Sequence, residues 1–109
     1  MGEPLVTVVE LPDFGKRASK LLTKAARTEL VNHLAANPTD GVELGSGVRK
    51  LRWGSRGAFR VVHFFADDRS PVFLIDIFAK ADAANYSEAG LVIVHEIAKA
   101  KRPAKRRAE

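Results

Sequence analysis

The sequence predicts an α+β domain in the order β-α-α-β-β-β-α, an antiparallel sheet with helices packed on one face. Three observations carry this. Runs rich in β-branched and aromatic residues lie between short Gly- and Asp-containing turns over residues 48–79. Apolar residues recur at helical spacing between Thr23 and the Asn37-Pro38 stop. The 109 residues are 46% hydrophobic and 28% charged, a balance that suits one globular core and argues against global disorder.

Leu5–Leu11 opens the chain as a weakly alternating strand, and Pro12 ends it. Asp13 is placed to cap a short helix over Phe14–Lys20. Thr23 is a good N-cap for a second helix over Lys24–Ala36, whose Ala25, Ala26, Leu30 and Leu34 form a buried stripe. Proline disfavours the helical conformation in the residue before it, so the helix stops at Asn37. Thr39–Gly47 reads as a loop. Three strands follow over Val48–Trp53, Ala58–Ala66 and Pro71–Ala79, and the short turns Gly54–Gly57 and Asp67–Ser70 make neighbours antiparallel. Lys80–Tyr86 is a loop. Asn85 with Glu88 forms a capping box for a last helix over Ser87–Lys101, with Leu91, Val94, Ile97 and Ala98 inward. Residues 1–101 form one domain, and 102–109 read as a disordered basic tail.

Several function classes are excluded or unsupported. With no cysteine, the chain has no disulfide, thiolate nucleophile or thiolate metal site. It has no phosphate-binding G-x-x-x-x-G-K-[ST] loop, no H-E-x-x-H spacing and no serine triad pattern. No apolar run approaches the roughly 20 residues of a membrane span. The N-terminus has acids where a secretion signal has bases, so a cytoplasmic protein without membrane contact is expected.

Charge position is more informative than charge total. From Lys99 onward six bases face one acid, which accounts for the whole net charge of +5. A solvated tail and a tail that reaches nucleic acid or an acidic partner both fit. Within the neutral body, Arg49, Lys50, Arg52, Arg56 and Arg60 fall in twelve residues with no intervening acid. Like charges repel, and a polyanion would relieve the cost of holding them together.

Strand alternation sorts these bases by face. Lys50 and Arg52 share one face, and Leu51 and Trp53 the other. Phe73, Ile75 and Ile77 make a clean apolar face for the helices. Leu74, Asp76, Phe78 and Lys80 take the opposite face, which receives Arg60 beside Val62 and Phe64. The middle strand reads as buried on both sides. An ordinary solvated face is the competing reading of the bases.

Such a surface suits RNA cleavage without a metal or other cofactor. The ribose 2′-hydroxyl attacks its own phosphate, while Lys and Arg stabilise the phosphorane charge. A Lys or Tyr with a pKa lowered by neighbouring cations can move the proton. His63 falls on the other face, and His33 and His95 lie on helices, so all three read as structural. Tyr86, just beyond the third strand, can reach the basic surface; packing of the last helix is its other reading.

The run GSGVRKLRWGSRGAFRVVHFF, then FLIDIFAKADAANYS, resembles the RelE/HigB superfamily of bacterial type II toxins, nearest its HigB-like branch. The shared pattern is G-x-R-K-x-R, a short turn, G-x-x-R-[VI], a strand ending in [GA]-K, and N-x-[ST]. LLTKAARTELVNHLAANPTDG is similar to the family's second helix. The resemblance covers about residues 10–100. It implies a RelE-like fold and a ribosome-dependent endoribonuclease that cuts mRNA in the A site and inhibits translation. It also implies an antitoxin from a neighbouring gene, often a helix-turn-helix protein, through which alone operator DNA is engaged. By position, Lys50 and Arg52 match the family's basic pair, Arg60 its transition-state arginine, Lys80 the base after the last strand, and Tyr86 a stacking or proton-transferring tyrosine. Arg49 and Arg56 are further RNA-binding candidates. Two departures stand out: the Gly54–Gly57 turn is shorter than in many HigB-like chains, and Asp76 on the basic face would pair with Lys80 or Arg60. The alternatives are a ParE-like DNA gyrase inhibitor on the same fold and a non-catalytic RNA- or ribosome-binding module.

Overall fold

The structure, a computed structural model, describes residues 5–85 and 88–102. Its elements are β1 (Val8–Glu10), α1 (Pro12–Leu21), α2 (Lys24–Ala36), β2 (Val42–Gly45), β3 (Val48–Trp53), β4 (Phe59–Phe64), β5 (Val72–Ala79) and α3 (Glu88–Lys101), with 3-10 turns at Ser55–Gly57 and Lys80–Asn85. The sheet order is β1-β5-β4-β3-β2. Every neighbouring pair is antiparallel except β1–β5, which is parallel. The α+β class therefore stands, with a mostly antiparallel sheet of five strands. Among the described residues, no helix is long and apolar enough to cross a membrane.

α1 starts earlier than expected, and Asp13 is not its cap. Pro12 takes the first helical position, where its missing N–H costs nothing. Asp13 instead sits in the first turn, where a carboxylate favours the helix dipole. α2 has the bounds read from the sequence. Thr23 Oγ1 accepts from the Ala26 N–H at 3.1 Å, and the Asn37 N–H closes the last turn on the His33 carbonyl. Leu30 and Leu34 are buried, whereas Ala25 is exposed. A bidentate ion pair from Arg27 to Glu10, at 2.7 and 2.9 Å, ties α2 to β1; hydrogen bonding to Glu10 raises the Arg27 pKa.

Two features overturn the expected layering. The first is β2, inside the segment read as a loop. It holds only Val42 and Leu44 as apolar residues and turns into β3 through Gly45, Ser46 and Gly47, all at positive φ. The second is a β-bulge in β5. Val62 pairs with Asp76 and His63 with Leu74, which leaves Ile75 as an extra residue. Alternation is broken there. Val72, Leu74 and Ile77 share one core with Leu51, Val61 and Phe65 under α1 and α2. Ile75 and Phe78 join Val48, Val62 and Phe64 in a second core, with Phe73 packed against it. Phe73 and Ile75 thus lie on the face opposite the one predicted, and Leu74 moves the other way.

The second core explains α3. Val94 and Ala98 are buried in it, so α3 packs on the face opposite α1 and α2 rather than beside them. The three helices do not share one face. At the end of α3, Lys101 lies 5.8 Å from the Phe73 ring centre and Arg102 lies 5.2 Å from that of Phe64, two cation–π contacts on a stacked aromatic pair. Arg102 also donates to the Ser46 carbonyl. Arg102, assigned to the tail from sequence, is docked on the sheet, and residues 103–109 lie outside the described residues.

Thr23→Ala removes the side-chain acceptor that caps the start of α2. It should lower the unfolding free energy by about 1 kcal/mol, read as a shifted midpoint with an unchanged slope in urea denaturation.

Candidate nucleic-acid interface

The β3–β4 register decides which bases meet. Arg52 pairs directly with Arg60, and Lys50 with Val62, one alternate position along. Residues directly opposite in an antiparallel pair point to the same face with Cα atoms about 4.5–5.5 Å apart. Arg52, Arg60 and Lys50 therefore share a face, together with Phe78, which pairs with Arg60 from β5. Lys80 leaves β5 just beyond, its N–H donating to the Ala58 carbonyl at 2.8 Å. This sets it beside the Arg52–Arg60 end of the sheet.

Two like charges directly opposite each other are destabilising. The structure relieves this by drawing Arg60 inward. Arg60 is only 9% exposed, and its Nη1 donates to the carbonyls of Gly57 at 2.6 Å and Phe59 at 3.3 Å. Arg52 stays exposed and Lys50 half-buried. Among the described residues, no carboxylate lies within 4.0 Å of Lys50, Arg52, Arg56, Arg60 or Lys80.

Asp76 does not pair with Lys80 or Arg60. It shares their face by register but accepts from Arg17 of α1 at 3.1 and 3.2 Å, and its Oδ1 also takes the Ile77 N–H. Arg17 has no motif around it, so sequence reasoning missed it. Its reach follows from α1 packing along the part of β5 that β1 leaves uncovered.

The other candidates separate. Arg49 alternates to the opposite face, pairs with Glu43 at 3.5 Å and donates to Gly47 O at 3.4 Å. It is not brought to the cation cluster. Arg56 is exposed at the tip of the β3–β4 turn. Tyr86 lies outside the described residues.

His33 and His63 take no part in this face, and His95 of α3 stands at its other end, where its Cε1 would lie 3.8 Å from a Cβ built on Gly45. His63 is fully buried beneath α2, opposite Arg49. Its Nε2 lies 2.9 Å from the Asp40 carbonyl, which can only accept, so the proton sits on Nε2. Nδ1 is then a buried acceptor without a partner. His33 meets the Asp40 carboxylate at 2.6 Å and lies tilted at 41° against Trp53 with ring centres 5.3 Å apart. The His33 hydrogen bond holds the Asp40 pKa below its usual value. Among the described residues, no three His, Asp or Glu side chains gather to hold a metal. A shallow groove of about 690 Å³, lined by Val8, Glu10, Lys24, Arg27, Thr28 and Val31, lies between β1 and α2, away from the cations.

No protein-family model matches the chain, and no curated protein matches it.

Burial pushes the His63 pKa from 6.5 down to about 4, with the Arg49 charge acting in the same direction against the opposing hydrogen bond to Asp40. Between those values the unfolded chain binds a proton that the folded chain refuses, so stability is full above pH 6.5 and falls toward pH 4. The expected loss is roughly 3 kcal/mol. Urea denaturation across this range checks the loss. NMR titration of the imidazole should show His63 neutral until about pH 4.

Proposed function

We propose that this chain is the toxin of a type II toxin–antitoxin pair with a RelE-like fold, a ribosome-dependent endoribonuclease that cuts mRNA in the A site. The observation that carries the reading is the opposed Arg52–Arg60 pair, with Lys50 beside it, Lys80 at the adjoining strand end and, among the described residues, no carboxylate within 4.0 Å of them. A surface that concentrates cations at such cost is built for an anion.

The chemistry follows from that electrostatics. The 2′-oxygen forms a bond to phosphorus as its proton leaves, the bond from phosphorus to the 5′-oxygen breaks, and that oxygen takes a proton. The products are a 2′,3′-cyclic phosphate and a 5′-hydroxyl. Arg52 and the outer nitrogens of Arg60 stabilise the extra negative charge on the phosphorane. His33 and His63 are engaged elsewhere and His95 stands near Gly45, so Lys50, with Tyr86 as the candidate offered by the sequence, is the group to move protons. The partners of this reading are the ribosome with mRNA bound, an antitoxin encoded beside the chain, and operator DNA through that antitoxin alone. Its place of action is the cytoplasm.

A second reading, a non-cleaving RNA- or ribosome-binding module, draws on Arg60. Its Nη1 is already engaged by two backbone carbonyls, which gives the residue a structural task.

Arg52→Ala and Arg60→Ala should each lower mRNA cleavage in a translating extract by about 10²-fold or more, with loss of growth arrest. Thermal unfolding of Arg52→Ala, an exposed position, should be unchanged. Growth arrest that persists with mRNA intact would remove the nuclease reading.

A further inference from the structure

The turn between β3 and β4 holds a residue in a conformation it does not favour. Arg56 has φ 57° and ψ 24°, the left-handed region, where a Cβ crowds the following carbonyl. Glycine, asparagine and aspartate are the usual residues there. Glycines stand at both ends of the turn, Gly54 and Gly57, yet the exposed tip carries an arginine. Arg56 has no carboxylate within 4.0 Å among the described residues. Among the described residues, no side-chain hydrogen bond or ion pair of Arg56 offsets its strain.

The inner side of the turn is clamped. Arg60 Nη1 donates to the Gly57 carbonyl, one residue past Arg56, at 2.6 Å. A Cβ built on Gly57 would meet that same Nη1 at 3.5 Å and the Arg52 Cβ at 3.6 Å. The last peptide of the turn therefore lies between the two opposed arginines of the cation face. The Gly57 N–H closes on Gly54, and Lys80 holds the Ala58 carbonyl from the other side. Strain kept by surrounding structure, at an exposed charged tip, points to a ligand outside the fold. A guanidinium suits a phosphate, which it can meet with two parallel donors.

We propose that Arg60 is a positioning residue that holds this turn in its left-handed form, and that the held turn presents Arg56 to a backbone phosphate of RNA passing the Lys50–Arg52 face. The inference rests on the RNA-directed reading above but not on cleavage. It gives Arg60 a task, acting through Arg56, separate from charge stabilisation.

The test is binding of a short single-stranded RNA with 2′-O-methyl riboses, which cannot be cut, followed by fluorescence anisotropy over a range of salt. Arg56→Ala should lower the slope of log affinity against log salt by about 0.7, the loss of one phosphate contact. In an Arg60→Met background, which keeps the stem but removes every donor, the same change should have no effect. In Arg60→Gln, whose amide can still donate to Gly57, the Arg56 effect should return. An Arg56→Ala effect of equal size in the Met and Gln backgrounds, or none in the unsubstituted protein, overturns the proposal. Thermal unfolding gives a reading that needs no change at Arg60. Glycine fits the left-handed turn and alanine does not, so Arg56→Gly should melt higher than Arg56→Ala. Equal melting temperatures overturn the held turn. RNA unaffected by Arg56→Ala while polyglutamate binding falls would assign the turn to an acidic protein and overturn its RNA role. A chain that cuts no mRNA but keeps the full Arg56 effect on RNA binding supports this inference while removing the nuclease reading.

Discussion

The extra residue in β5 opposite Val62 and His63 governs how both faces of the sheet are used. Without it, strict alternation would put Phe73, Ile75 and Ile77 together against α1 and α2. With it, Phe73 and Ile75 turn to the face that carries Lys50, Arg52 and Arg60, and Leu74 replaces them beneath α1 and α2. That face then has two parts. The end near Phe64 and Phe73 is an apolar platform that must be covered, and α3 covers it with Val94 and Ala98. The end near the β3–β4 turn keeps its cations. One inserted residue thus creates the need for α3 and sets where its coverage begins.

The division also shows what was legible in the sequence. Elements with strong local signals are where they were expected: α2 through Thr23 and Asn37-Pro38, and β3 through its alternation. The shared face of Lys50, Arg52 and Arg60 was legible too, because a tight hairpin fixes register. What failed depended on contacts between distant segments. A bulge changes no residue type, so the apolar run of β5 looks the same with or without it. The side on which α3 lies follows from the bulge and was lost with it. β2 is too short and too rich in flanking glycine to signal a strand. It forms because β3 offers a partner, a tertiary effect that outweighs local preference. The parallel pairing of β1 with β5 likewise joins segments far apart in the chain.

The cation cluster survives through a similar division of labour. Asp76 falls on its face and is the one carboxylate that strand register places there. Arg17, from a helix on the edge of β5, engages it instead. Arg27 of α2 joins Glu10 of β1, and Arg49 is met by Glu43 on the far face. Among the described residues, Lys50, Arg52, Arg60 and Lys80, which have no carboxylate within 4.0 Å, are therefore grouped, although the body of the chain is neutral overall. Arg60 is the most constrained of them, since its burial is tolerable only because backbone carbonyls take its Nη1 protons. A buried arginine satisfied by neutral acceptors keeps its full charge, and its field strengthens where water is excluded.

The buried histidine on the other face belongs to the same account. His63 holds the Asp40 carbonyl, the Asp40 carboxylate holds the Gly41 N–H and meets His33, and Gly41 lies against the backbone of β3. A Cβ at Gly41, which has φ 103°, would come within 2.7 Å of the Lys50 carbonyl. Only glycine fits so close an approach. The segment after α2 is thus pressed onto the strand residue whose side chain stands among the cations. Polar groups that never reach the basic face set the backbone beneath it. A neutral His63 is part of that arrangement, since a proton on its unpartnered Nδ1 would place an uncompensated charge beside Arg49 in the core. The fold's sensitivity to acid and the placement of Lys50 therefore trace to the same short run of hydrogen bonds.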